Sequence, residues 1–124
     1  MIDHVSLGTT RYADAVAFYR RALAPLDMTL QNDTGREAAF GTASRWSFFL
    51  YPVDAGATTA APGMHVAFRA ASREVVAESY AAAIAASAGE LWGPRERPDI
   101  SATYFGAMFM DLDGHRIELK NDVA

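Results

Sequence analysis

Residues 4–23 of this chain recur in kind and order 61 positions further on, and that repeat restricts the fold more than any other feature. His4 falls on His65, Val5 on Val66, Leu7 on Phe68, Tyr19 on Tyr80, Ala22 on Ala83 and Leu23 on Ile84. Later segments superpose at a shift of 69, which puts Ala38 on Ala107, Phe40 on Phe109 and Phe48 on Ile117. A repeat of this length marks a duplicated supersecondary unit. The difference between the two shifts requires an insertion in the second copy. Residues 93–103, rich in Pro, Arg and charge, have the composition of a loop and are expected to hold it.

Each half reads as strand, helix, then further strands. In the first, 2–7 alternates like a strand, and 12–24 places Val16, Tyr19 and Leu23 on one helical face before Pro25 stops it. Strands are expected at 28–31, 36–41 and 46–51. In the second half a strand at 64–70 precedes a helix capped by Ser72 and running to 88, with Gly89 closing it. Strands at 91–92, 104–111 and 116–121 complete the unit, the last two joined by the turn Asp111-Leu112-Asp113-Gly114. The whole is one domain, 1–124, made of a first module (1–53), a linker (54–63) and a second module (64–124). An apolar fraction of 51% is ample for its core.

Three residues in these strands carry chemistry. Val5, Leu7, Val66, Phe68, Ile117 and Leu119 alternate toward a core, so His4, His65 and Glu118 share the opposite faces. Two imidazoles and a carboxylate are the ligand set of an open divalent metal site, which leaves positions for water or a bidentate substrate. The same parity places Ser6, Ser47, Tyr51, Ala67, Arg69, Arg116 and Lys120 beside them. The alternative is a metal-free cluster in which both histidines hydrogen-bond Glu118. His115, just after the turn glycine, is expected to be solvated, and Tyr19 and Tyr80 to pack helices onto sheets.

The remaining composition excludes much. A net charge of −4 with dispersed arginines gives no footprint for nucleic acid. No cysteine is present, so disulfides and thiolate ligands are absent. The first residues show neither a basic leader nor an apolar run long enough for a membrane helix, and a cytoplasmic protein is expected.

The segments Met1-Ile2-Asp3-His4-Val5-Ser6-Leu7, Ala17-Phe18-Tyr19, Met64-His65-Val66-Ala67-Phe68 and Asp111-Leu112-Asp113-Gly114-His115-Arg116-Ile117-Glu118 together resemble the vicinal oxygen chelate superfamily. That superfamily includes glyoxalase I, extradiol dioxygenases and the bleomycin and fosfomycin resistance proteins. The resemblance spans essentially the whole chain. It implies an α+β fold of tandem βαβββ modules, a U-shaped, cup-like mixed sheet with helices outside, and often a homodimer. It also implies four metal-ligand positions, here His4, Phe49, His65 and Glu118, so one family carboxylate is replaced by Phe49. The metal would be zinc, nickel, manganese or iron, the substrate a small molecule, and the base Glu118, a cup residue such as Tyr51 or Tyr104, or metal-bound hydroxide. A metal-dependent lyase or isomerase is the first expectation, though not a glutathione-dependent glyoxalase I, for want of the second carboxylate. A metal-free binding protein of the bleomycin-resistance type and an iron-dependent ring-cleaving enzyme are the alternatives.

Overall fold

In the computed structural model, which describes residues 1–123, each half of the chain builds one helix and one four-stranded mixed sheet. The first half supplies β1 (Val5–Thr9), α1 (Tyr12–Ala22), β2 (Thr29–Asp33), β3 (Ala38–Thr42) and β4 (Arg45–Pro52). The second supplies β5 (His65–Arg69), α2 (Arg73–Ala85), β6 (Gly89–Glu96), β7 (Tyr104–Met110) and β8 (Arg116–Asp122). The strand orders are β1-β4-β3-β2 and β5-β8-β7-β6. In each sheet the first strand runs parallel to the last, and the other neighbours are antiparallel. This is the expected α+β architecture of tandem βαβββ units. The ladders carry both shifts of the repeat, since Ser6 pairs with Phe49 just as Ala67 pairs with Glu118.

The helices cover the apolar sheet faces. Ala15, Val16, Phe18, Tyr19 and Ala22 form the buried stripe of α1, while Arg20 and Arg21 stay outside it. Tyr19 packs on Phe48 of the first sheet at 4.8 Å between ring centroids, and Phe18 on Phe109 of the second at 5.9 Å. Phe48 in turn meets Phe68 at 5.3 Å, so both halves share one core. The helices meet each other through small residues, with Ala22, Ser79 and Ala83 fully buried. Ser79 Oγ donates to the Ala22 carbonyl at 2.6 Å, one of the terminal carbonyls that α1 cannot satisfy itself. At the start of α2, Ser72 caps as expected, its Oγ accepting from the Val75 N–H at 3.2 Å.

Several boundaries differ from expectation, each for a local reason. β1 begins at Val5, so His4 precedes the strand. α1 ends at Ala22, and Pro25 sits inside a separate 3-10 turn, Ala24–Leu26. α2 stops at Ala85; Ser87, with φ of 80°, makes the left-handed turn assigned to Gly89, and Gly89 opens β6. β6 itself runs to Glu96 and absorbs the start of the expected loop.

His115 is the main correction. It is 8% exposed, and its Nε2 lies 2.8 Å from the Gly8 carbonyl, across the two halves. Asp111 lies beneath it. One carboxylate oxygen accepts from the Asp113 and His115 N–H groups, and the other from the Tyr19 hydroxyl at 2.5 Å. Thr10 donates to Asp113 through both its N–H and its hydroxyl, each at 2.9 Å. The last hairpin is thereby fastened to the start of α1. Tyr19 does pack its helix onto the sheet, and Tyr80 is buried likewise, its hydroxyl reaching Glu90 at 3.3 Å.

Candidate functional site

The parallel pair β5–β8 places His65, Ala67 and Arg69 beside Arg116, Glu118 and Lys120 on the polar face of the second sheet. His65 Nε2 and Glu118 Oε2 stand 2.9 Å apart, the His65 side chain 46% and the Glu118 side chain 13% exposed. The other carboxylate oxygen, Oε1, accepts a short hydrogen bond from the Tyr104 hydroxyl. Both oxygens of Glu118 are thus oriented by neighbours on adjoining strands.

Tyr104 is able to reach Glu118 because of Gly106. Both residues face the same way on β7, and the tyrosine ring lies across the glycine. A Cβ at position 106 would come within 2.5 Å of the Tyr104 hydroxyl oxygen and 2.7 Å of the Leu119 carbonyl oxygen. Lys120 covers the ring, its Nζ 5.3 Å from the centroid, at cation–π range. Burial, then the Glu118 carboxylate, raises the Tyr104 hydroxyl well above its ordinary range. At neutral pH it therefore holds its proton and donates. Gly106→Ala is expected to destabilise the fold by about 1–3 kcal/mol, as overpacked cores do. It should also push Tyr104 off Glu118. Urea unfolding measures the first, and the NMR shifts of the Tyr104 ring the second.

The first half carries the counterpart of this site without its carboxylate. His4 Nδ1 lies 2.8 Å from Asp3 Oδ2, and its ring meets the edge of Phe49 at 5.3 Å between centroids. Phe49 holds the ladder position of Glu118 and stacks on Tyr51 at 6.4 Å. The Tyr51 hydroxyl donates to Glu37 Oε2 at 2.6 Å, and that bond raises its pKa. The chain thus brings together His65, Glu118 and Tyr104, and leaves His4 and Tyr51 in the other half. Among the described residues no group of three or more His, Asp or Glu is placed to hold a metal ion.

The His65 and Glu118 donors fit a cation as far as they go. Their 2.9 Å separation is that of neighbouring ligands on an ion with bonds of about 2.0–2.2 Å. Beside His65 a groove of about 180 Å³ is lined by Leu7 and Gly8 of the first half, linker residues 58–61, and His65 and Val66 of the second half. His115 and Arg116 line it as well. Sequence reasoning did not find Gly106 or the Asp111–His115 fastening; the small residue two places after a cup-facing tyrosine was the available signal for the first.

A family model described as "Glyoxalase/Bleomycin resistance protein/Dioxygenase superfamily" matches residues 1–119. Among solved structures, a glyoxalase/bleomycin resistance protein from Albidiferax ferrireducens is 21% identical, with a TM-score of 0.84 over 95% of this chain and 96% of that one. A glyoxalase/bleomycin resistance protein/dioxygenase family enzyme from Burkholderia phytofirmans is 16% identical, with a TM-score of 0.75 over 98% of each chain. The E126Q mutant of the fosfomycin resistance protein FosX from Listeria monocytogenes, complexed with Mn(II) and 1S,2S-dihydroxypropylphosphonic acid, is 22% identical, with a TM-score of 0.67 over 96% of this chain and 87% of that one. No curated protein matches.

Proposed function

The chain belongs to the glyoxalase/bleomycin resistance protein/dioxygenase superfamily, and from that membership and its site we propose a divalent-metal-dependent enzyme of lyase or isomerase type acting on a small, oxygen-rich molecule. The observation that carries the proposal is the 2.9 Å pairing of His65 Nε2 with Glu118 Oε2 on an accessible sheet face. His65 and Glu118 would hold the cation, of which manganese, nickel, iron and zinc are candidates, and His4 would supply the third ligand. No single copy gathers all three, so we assign His4 to a second copy, with the first half of each chain facing the second half of the other. Such a homodimer holds two sites. It also covers β1 and β5, which end their sheets and leave edges open. That the FosX mutant was complexed with Mn(II) supports the metal.

A bound divalent ion supplies Lewis-acid polarisation and a template for two substrate oxygens. The protein's residues do the rest. Tyr104 positions the Glu118 carboxylate by donating to Oε1, and Gly106 makes room for it. Glu118 is held as a ligand and Tyr104 as its donor; Tyr51, whose pKa its bond to Glu37 raises, keeps its proton and would act in the assembled site as a proton donor. Phe49, at the ladder position of Glu118, would present an apolar wall to the assembled site.

Phe49 also limits the reaction. A benzyl side chain neither binds a cation nor accepts a proton, and general base catalysis contributes about 10²–10⁴-fold. Turnover of the methylglyoxal–glutathione hemithioacetal is therefore expected to be weak with zinc, nickel or cobalt added, and Phe49→Glu should raise it. Rapid saturable turnover by the parent contradicts this.

One observation favours a second reading, a metal-free small-molecule binding protein. His65, Glu118 and Tyr104 satisfy one another without a cation, and among the described residues no buried side-chain polar atom lacks a partner. Metal analysis of protein purified without a metal-affinity column separates the two. One ion per chain supports the enzyme; a metal-free protein that resists loading with manganese, nickel, iron and zinc supports the binder.

A further inference from the structure

The polar face of the second sheet is more cationic than this acidic chain requires. Arg69 and Lys120 are direct partners in the parallel ladder, two positions beyond Ala67 and Glu118. Like charges placed opposite one another on a sheet face destabilise it. Lys120 is only partly exposed, drawn over the Tyr104 ring, and its one carboxylate, on Asp122, is 3.5 Å away. Among the described residues no carboxylate pairs with Arg69, nor with Arg116 on the other side of Glu118. Lys120 is partly compensated by the Tyr104 ring and Asp122, but the Arg69 charge opposite it is not, in a chain of net charge −4 that did not lack acidic residues to relieve it.

We propose that Arg69 and Lys120 form an anion-binding subsite that seats a carboxylate or phosphonate group of the substrate, oriented by its distance from His65 and Glu118. The Arg69–Lys120 pair lies two residues along the ladder from Ala67–Glu118, roughly 6–7 Å at the backbone, so the anionic group sits beside the Glu118 position on the same face. The ligand is thus a short molecule with oxygen donors at one end and a negative group at the other. Arg69 presents a planar fork suited to two oxygens of the anion, and Lys120 a point charge fixed by the ring beneath it. Arg116, beside His65, lies at the opposite end and would contact the oxygen-bearing part. This assignment deepens the enzyme reading and rests on it for the identity of the reacting end, but the anion subsite stands on residues that are not metal ligands.

Methylphosphonate, acetate and uncharged acetamide are the probes, titrated by calorimetry into the full chain with and without manganese. The two anions are expected to bind the metal-free protein, methylphosphonate and acetate separating the phosphonate and carboxylate classes by which binds tighter, and acetamide to give no heat. Arg69→Gln and Lys120→Gln should each weaken the preferred anion about tenfold or more, as loss of a charge-assisted hydrogen bond does. Without any probe, Arg69→Gln should melt no lower than the parent, because it removes a like-charge opposition. No anion binding by the metal-free parent, or binding that neither variant weakens, overturns the subsite. Manganese uptake in the same titrations reports on the enzyme reading separately: failure to take up manganese, with anion binding intact, contradicts that reading and leaves the subsite standing.

Discussion

Replacement of His65 by alanine is expected to abolish stoichiometric uptake of a divalent ion while the protein still unfolds cooperatively. The side chain is almost half exposed and contributes no packing to the core, so little stability is lost with it. Its Nε2 is one of the two donors that stand together in the chain, and Glu118 with only the second copy's His4 would not hold a cation against water. Loss of one of three ligands should exceed the about 10–100-fold decrease in affinity typical when a residue that merely supports a ligand is removed. Equilibrium dialysis with manganese and zinc, beside urea unfolding of the same samples, reads both effects. Metal content equal to the parent would remove His65 from the ligand set.

The largest loss of stability is expected from Asp111→Ala. Asp111 lies in the shared core, and burial holds its carboxyl above the usual range even though Tyr19 and two backbone N–H groups donate to it. Truncation orphans those three donors, each at about 1–3 kcal/mol when unsatisfied and buried, with relief of the buried carboxyl offsetting part. A net loss of about 3 kcal/mol is expected from the urea midpoint. Asp111→Asn retains an oxygen for the two N–H groups, so its loss should be about 1 kcal/mol. Equal losses for the two variants would show that packing, rather than these hydrogen bonds, fastens the hairpin.

The repeat was sufficient to read the sheets and to put Phe49 and Glu118 at equivalent places, because ladder register follows the two-residue period of each strand. The same period found the His65–Glu118 pair, whose strands are neighbours. It could not find where His4 lies relative to them. That depends on how α1 and α2 pack through Ala22, Ser79 and Ala83, and no strand period encodes it. Gly93 and Pro94 read as loop residues, yet they lie in β6, an edge strand whose register shifts at Trp92 and Arg95 accommodate them. His115 was misread because its partner, the Gly8 carbonyl, is distant in sequence and a backbone acceptor leaves no trace in it.

The central claim is that one site takes His65 and Glu118 from one copy and His4 from another. Metal content after mixing two inactive variants tests it most directly. His4→Ala and His65→Ala chains, each metal-free alone, are unfolded together, refolded at equal concentrations and dialysed against manganese. Random pairing makes half the dimers mixed, and each mixed dimer regains one intact site of two. About a quarter of the parent's metal content is therefore expected. No recovery in the mixture, with each variant folded and dimeric, would contradict a site shared between copies.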